Sequence, residues 1–337
     1  MKKKVLVLGG TGAMGVYTVP ELLAMGYAVD VVSLDEWKMA NQNVRYIKAD
    51  GFDDAFLRSL MEKEHYDAVI DYMLYRTDLF ERRVDMLLTH TEHYIFLSTY
   101  RVYSSDELPI RETSPRLLES RADDAVYQSH DRDEYSLYKA RQEDVLRSRG
   151  HGNWTIVRPA ITFSKLRYQL VTLEADVLIR RAMEKKKVLL PERAMDVRAT
   201  MSWAGDVGRM FARLVLNPGA YGETFSICTA ENHSWREIAE YYKEIIDLRY
   251  EVVDTQTYMD VWAGNGLHAQ YQLYLDRCLD RVMDNSKILS VTGMKQSELT
   301  PIKEALTKEL ANLPADHVWR HNETCDRMDA WLAARGR

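Results

Sequence analysis

Cysteine is scarce in this chain. Cys228, Cys278 and Cys325 are the only three in 337 residues, and they stand tens of residues apart. Without a CxxC pair there is no basis for a zinc knuckle or a disulfide framework, and no metal site is expected; a reducing compartment follows. Eight prolines and sixteen glycines leave no room for a collagen-like or linker-dominated chain. Nowhere do ~18 uncharged apolar residues run together, so no spanning helix is expected. The three lysines at the start precede an apolar run of only Val5 to Gly9, short of the ~7–15 residues of a secretory core. The expectation is a cytoplasmic protein without a membrane partner. Positive charge is not in surplus either: 45 Lys and Arg against 51 Asp and Glu give −6. That balance argues against nucleic acid as the main partner, although a local basic groove stays open.

What is present is ordinary for a globular chain, 46% hydrophobic and 28% charged, and long enough for one large domain with a smaller lobe. Apolar runs alternate with helical patterns through the first half. VLVLGG, AVDVVSL, NVRYIKAD, YDAVIDYM, HYIFLST and NWTIVRP read as strands separated by helices, which predicts an α/β, Rossmann-type doubly wound parallel sheet over residues 1–164. Residues 165–337 are expected to form most of a smaller α/β substrate lobe, with exchange of a strand between the two left open. Within it the pattern predicts a helix from Tyr168 to Lys187, a strand pair near TMSWAGDV and YGETFSI, and helices around Trp235–Asp247 and Pro301–Leu313.

The sharpest local signal is GGTGAMG, with Gly9, Gly12 and Gly15 directly after the first strand and opening the first helix. Such a turn lets backbone N–H groups and the helix dipole meet a pyrophosphate. Ala13 and Met14 belong to the same turn. Asp35, ending the second strand, is placed to read an adenosine ribose or to serve as a plain loop acid. Asp50 is similarly placed to meet adenine or to close a turn. Leu34 is not basic, which leans the cofactor to NAD and leaves NADP open. Gly51, Tyr72, Arg158 and Pro159 are further candidates for cofactor contact.

Tyr135 is the only tyrosine with a lysine four residues on, Lys139, so the two share one helix face. An ammonium near a phenol stabilises phenolate and readies it for proton transfer; the pair could equally be a surface one. Ser98 and Thr99 end the HYIFLST strand, where a hydroxyl points into the crevice of a parallel sheet. In the second lobe Arg167, Arg198, His233 and Arg277 are candidates to grip a substrate phosphate or carboxylate, or to pair structurally. The aromatic and methionine residues of TYMDVWAGNGLHAQYQLY either line a pocket or pack in the core.

Taken in order, GGTGAMG, Asp50, FLSTYRVY, YSLYK and IVRPAITF resemble the successive blocks of the extended short-chain dehydrogenase/reductases, the NAD-dependent epimerase/dehydratase family. The resemblance implies a Rossmann domain with a C-terminal substrate lobe, a Thr99–Tyr135–Lys139 triad and a homodimer. Departures from the family narrow the reaction. Tyr100 and Arg101 stand where its sugar-nucleotide dehydratases carry Asp-Glu, which argues against 4,6-dehydration. Ile161, Phe163 and Ser104 replace a common Asn, Tyr and Gly. The stretch from SWAGDVGRMF through YGETFSICTAENHSW is similar to the atypical branch of isoflavone-reductase-like enzymes and chloroplast stem-loop RNA-binding proteins. The expected activity is that of an NAD(P)-dependent epimerase or oxidoreductase acting on a secondary alcohol or ketone, foremost of a nucleotide sugar. A non-catalytic dinucleotide- or RNA-binding scaffold and a reductase of small aromatic or terpenoid ketones are the alternatives.

Overall fold

Residues 2–120, 134–263, 267–314 and 317–336 are described by the computed structural model. The first strand, β1 (Lys4–Leu8), shows how the sheet is built. Val5 and Val7 enter one apolar cluster while Leu6 and Leu8 enter another, because side chains alternate across a strand. A strand apolar on both faces must lie inside a sheet covered on both sides. It pairs in parallel with β2 (Ala28–Ser33) and β4 (Tyr66–Asp71). The full sheet has seven parallel strands: Glu223–Ile227, β6 (Trp154–Pro159), β5 (Thr91–Leu97), β4, β1, β2 and β3 (Val44–Lys48). The chain runs outward from β1 to β3, then returns to place β4 on the other side of β1. That reversal opens a crevice at the carboxyl ends of β1 and β4, the usual ligand position in such sheets.

Helix α1 (Gly15–Ala24) packs beside the Ala204–Leu214 helix on one face, and α2 (Asp54–Lys63) and α3 (Thr77–Thr89) cover the other. Helix α4 (Tyr135–Ser148) packs on α3; its start is capped by Glu134, whose carboxylate accepts from the Ser136 and Leu137 N–H groups. A third apolar cluster, built around Trp235, Tyr242, Tyr258 and Leu306, forms the core of the second lobe.

Two local expectations fail, for reasons of tertiary contact. Tyr168 to Lys187 is not one helix: Gln169–Leu170 pairs antiparallel with Leu173–Glu174, and the helix begins only at Ala175. Distant side chains take the backbone groups that a helix would use, since Arg277 Nε donates to the Val171 carbonyl at 2.8 Å and the Tyr242 hydroxyl to that of Gln169 at 3.1 Å. Nor do TMSWAGDV and YGETFSI pair with each other. Met201–Trp203 runs parallel to Ile161–Phe163, whereas Glu223–Ile227 joins β6 as the seventh strand of the main sheet. All three cysteines are free. Among the described residues no helix is long and apolar enough to cross a membrane.

Candidate active site

The glycine turn is shaped by what its residues lack. Gly9 leaves β1 at φ +72°, a left-handed conformation that strains any residue with a Cβ. A Cβ on Gly15 would lie 2.4 Å from the Gly10 carbonyl oxygen, so only glycine lets α1 start so close to the turn; on Gly12 it would meet nothing nearer than the Gly9 oxygen at 3.4 Å. Gly12 therefore faces open space. Met14 at the N-cap offers no side-chain hydrogen bond to the helix start, which leaves N–H groups and the positive dipole end for an anion. Beside them the Thr11 hydroxyl donates to Asp35 Oδ2 at 2.7 Å and lies 2.6 Å from Ser33 Oγ. This draws the Asp35 carboxylate back to the mouth of the turn. Asp50 accepts from the Phe52 N–H at 2.8 Å in a turn of its own, Gly51 is buried beneath Met73, and the Tyr72 hydroxyl lies 2.6 Å from Thr18 Oγ1. An open anion cradle flanked by a fixed carboxylate fits a dinucleotide's pyrophosphate and adenosine ribose.

Next to the turn lies a cleft of about 380 Å³ lined by Met14, Tyr72, Thr99, Tyr135 and Pro159, among others. β5 delivers Thr99 to its edge, where Thr99 caps a single helical turn, Tyr100–Val102. Tyr135 is the first residue of α4. Burial pushes the Tyr135 phenol above its usual range, opposed by the Arg101 guanidinium, a hydrogen bond with Thr99 and the charge of Arg167, while Glu134 adds to the rise. The Arg101 guanidinium lies over the Tyr135 ring, 5.2 Å from its centroid. Lys139, expected beside the phenol, is fully buried and does not line the cleft. Its Nζ donates to the Leu97 carbonyl at 2.7 Å and sits 4.6 Å above the Phe96 ring. Burial lowers Lys139 to about 8, with Asp71 and Glu143 pulling the other way.

Not every candidate reaches the cleft. Arg158 is 2% exposed and grips Glu143 with both edges, at 2.8 and 2.5 Å, so it sits behind the wall rather than at a ligand. Ser98 lines the cleft, but its hydroxyl is turned to the same carboxylate at 2.5 Å. Burial disfavours the charged form of Glu143, yet Arg158 prevails and holds it at about 2. Arg198 bonds Asn232 at the surface, His233 bonds Glu231 at 2.7 Å, and neither lines the cleft. Arg167 and Arg277 do line it. Arg277 is buried, ion-paired to Asp276 and donating to the Tyr100 hydroxyl at 2.8 Å. Of TYMDVWAGNGLHAQYQLY, Tyr258 and Met259 are core, Gln272 reaches the cleft, and residues 264–266 lie outside the described residues. Arg101, Gln169 and Gln272 line the cleft as well, outside the expected site residues. Only Arg101 left a readable signal, its place two residues after Thr99.

These elements define a Rossmann-like α/β protein with a cleft at the sheet's switch point. Residues 5–228 match the NAD dependent epimerase/dehydratase family, and the chain belongs to that family. A relative from Arabidopsis thaliana, the chloroplast stem-loop binding protein of 41 kDa b, is 25% identical over 243 residues. The match spans 67% of this chain and only 58% of the plant protein. Among solved structures, the Bordetella bronchiseptica enzyme WbmH in complex with NAD+ is similar at a TM-score of 0.69 and 16% identity, covering 94% of this chain and 100% of that one. MoeE5, in complex with UDP-glucuronic acid and NAD, is similar at a TM-score of 0.67 and 15% identity, covering 91% and 99%.

Proposed function

We propose that this protein is an NAD-dependent enzyme that interconverts a secondary alcohol and its ketone in a nucleotide sugar, as an epimerase or oxidoreductase. The meeting of Thr99 and Tyr135 in one cleft, beside the open glycine turn, carries the reading. A bound nicotinamide supplies the acceptor and donor of hydride. Tyr135 takes the carbinol proton as the carbon–oxygen double bond forms, and Thr99 donates a hydrogen bond to that oxygen as charge gathers on it. Lys139, fully buried and committed to the Leu97 carbonyl, ties α4 to the end of β5 and so serves to hold Tyr135 against Thr99. Asp35 would meet a 2′-phosphate with like charge, which favours NAD over NADP. Tyr100 is tied to Asp276 and Arg101 to Glu134, so neither supplies the acid and base that 4,6-dehydration needs. The UDP-sugar and NAD bound by MoeE5 support the substrate class.

Tyr135→Phe should lower turnover of a UDP-sugar panel roughly 10²–10⁴-fold while NAD affinity by fluorescence titration stays put. Full activity in that variant would refute the assignment. The plant relative's name raises nucleic-acid association as a second reading. A gel shift with a labelled stem-loop tests it directly: tight, steeply salt-dependent binding without turnover would replace the enzymatic reading.

A further inference from the structure

The cleft's charge is one-sided. Its described lining holds Arg101, Arg167 and Arg277 and not one Asp, Glu, Lys or His, in a chain whose net charge is −6. Behind the wall, Asp276 serves both Arg277 and Arg281, with Arg101 Nε 3.6 Å away, and Glu134 takes Arg101 at 3.0 Å. Among the described residues, two carboxylates thus face three guanidiniums. Arg167 is 3.6 Å from Glu174 and 39% exposed, a loose pairing at the cleft's rim. A low-dielectric cleft walled by one sign of charge selects a ligand of the other.

The position of Arg101 says where on the ligand that charge belongs. Thr99 and Arg101 project from the same tight turn, and the Arg101 guanidinium covers the ring of Tyr135. A substrate whose carbinol oxygen hydrogen-bonds the Tyr135 phenol therefore puts its adjoining carbon against Arg101. The diphosphate of a nucleotide sugar leaves from the opposite end of the ring, toward the rim and Arg167. We propose that the natural substrate carries a second anionic group on the carbon next to the reacting carbinol, a uronic-acid-type carboxylate held by Arg101. This rests on the nucleotide-sugar reading above and narrows it. A guanidinium suits this part: it keeps its charge at every working pH and has further N–H groups to offer a carboxylate beside the one given to Glu134.

Calorimetric titration of the NAD-loaded protein with UDP-glucuronic acid, UDP-glucose and UDP tests the inference. We expect UDP-glucuronic acid to bind about 10-fold more tightly than UDP-glucose, about the contribution of one charge-assisted pair. Arg101→Gln should bring that ratio close to one, and Arg101→Lys, which retains charge without the planar fork, should keep part of it. Thermal melting of each variant separates loss of selectivity from loss of fold. Equal affinity for the two sugars in the unsubstituted protein would overturn the inference and leave the nucleotide-sugar reading standing, as would a ratio that survives in folded Arg101→Gln. Failure of all three nucleotides to bind would overturn both.

Discussion

On β5 the imidazole of His93 is fully buried and held between two fixed groups. Its Nδ1 accepts from the Leu216 N–H at 3.0 Å, so Nε2 carries the proton and donates to Thr155 Oγ1 at 2.8 Å. Burial lowers its pKa to about 4 from 6.5. A histidine that stays neutral in the fold and protonates when unfolded contributes stability that is whole above pH 6.5 and lost as pH falls toward 4. At ~1.4 kcal/mol for each pH unit of that window, the loss reaches about 3 kcal/mol. Urea unfolding across this range should show the slope, and His93→Gln should flatten it; an unchanged slope would mean that another group titrates. Single residues differ in how openly they announce such roles. Thr99, Tyr135 and Lys139 stand out in the sequence by type and spacing; the fold brings Thr99 and Tyr135 to one cleft and turns Lys139 to the Leu97 carbonyl. Arg158 and Ser98 have the right types and addresses, but Glu143, from the middle of α4, turns both away from the cleft. That competition exists only in three dimensions.

The turn between β1 and α1 separates two demands on glycine. At Gly15 a methyl group would press on the Gly10 backbone at 2.4 Å, whereas at Gly12 it would point into open space apart from one oxygen at 3.4 Å. Gly15→Ala should therefore cost stability, roughly 3 kcal/mol, whether or not dinucleotide is present. Gly12→Ala should leave the melting temperature nearly unchanged and weaken NAD about 10-fold or more, since its methyl occupies the approach to the cradle. Paired melting curves and NAD titrations check both; equal effects on stability would show that the two glycines do the same job. This element was legible from sequence because the contacts that bear on Gly12 and Gly15 come from within the turn itself. The hairpin at Gln169–Glu174 was not, since Arg277 and Tyr242 decide its backbone from far along the chain.

At the scale of the whole molecule, the parallel sheet follows from apolar runs alternating with helices, but its seventh strand does not. Glu223–Ile227 lies beside β6 because Phe225 and Ile227 complete the cluster that also buries Val157 and Phe211, and no local pattern names a strand's neighbour. The cleft's far wall is equally non-local, with Arg277 and Tyr100 meeting across 177 residues. The sequence could nominate a glycine turn and a phenol as candidates, but only the fold brings Met14 of that turn and Tyr135 to one cleft, which Arg101, Arg167 and Arg277 also line. A crystal structure of the protein soaked with NAD addresses that juxtaposition most directly. The pyrophosphate should lie against the backbone at Ala13 and Met14, the adenosine ribose on Asp35, and the nicotinamide should reach the Thr99–Tyr135 cleft. A dinucleotide bound with its nicotinamide directed away from Tyr135, or seated elsewhere on the sheet, would contradict that placement.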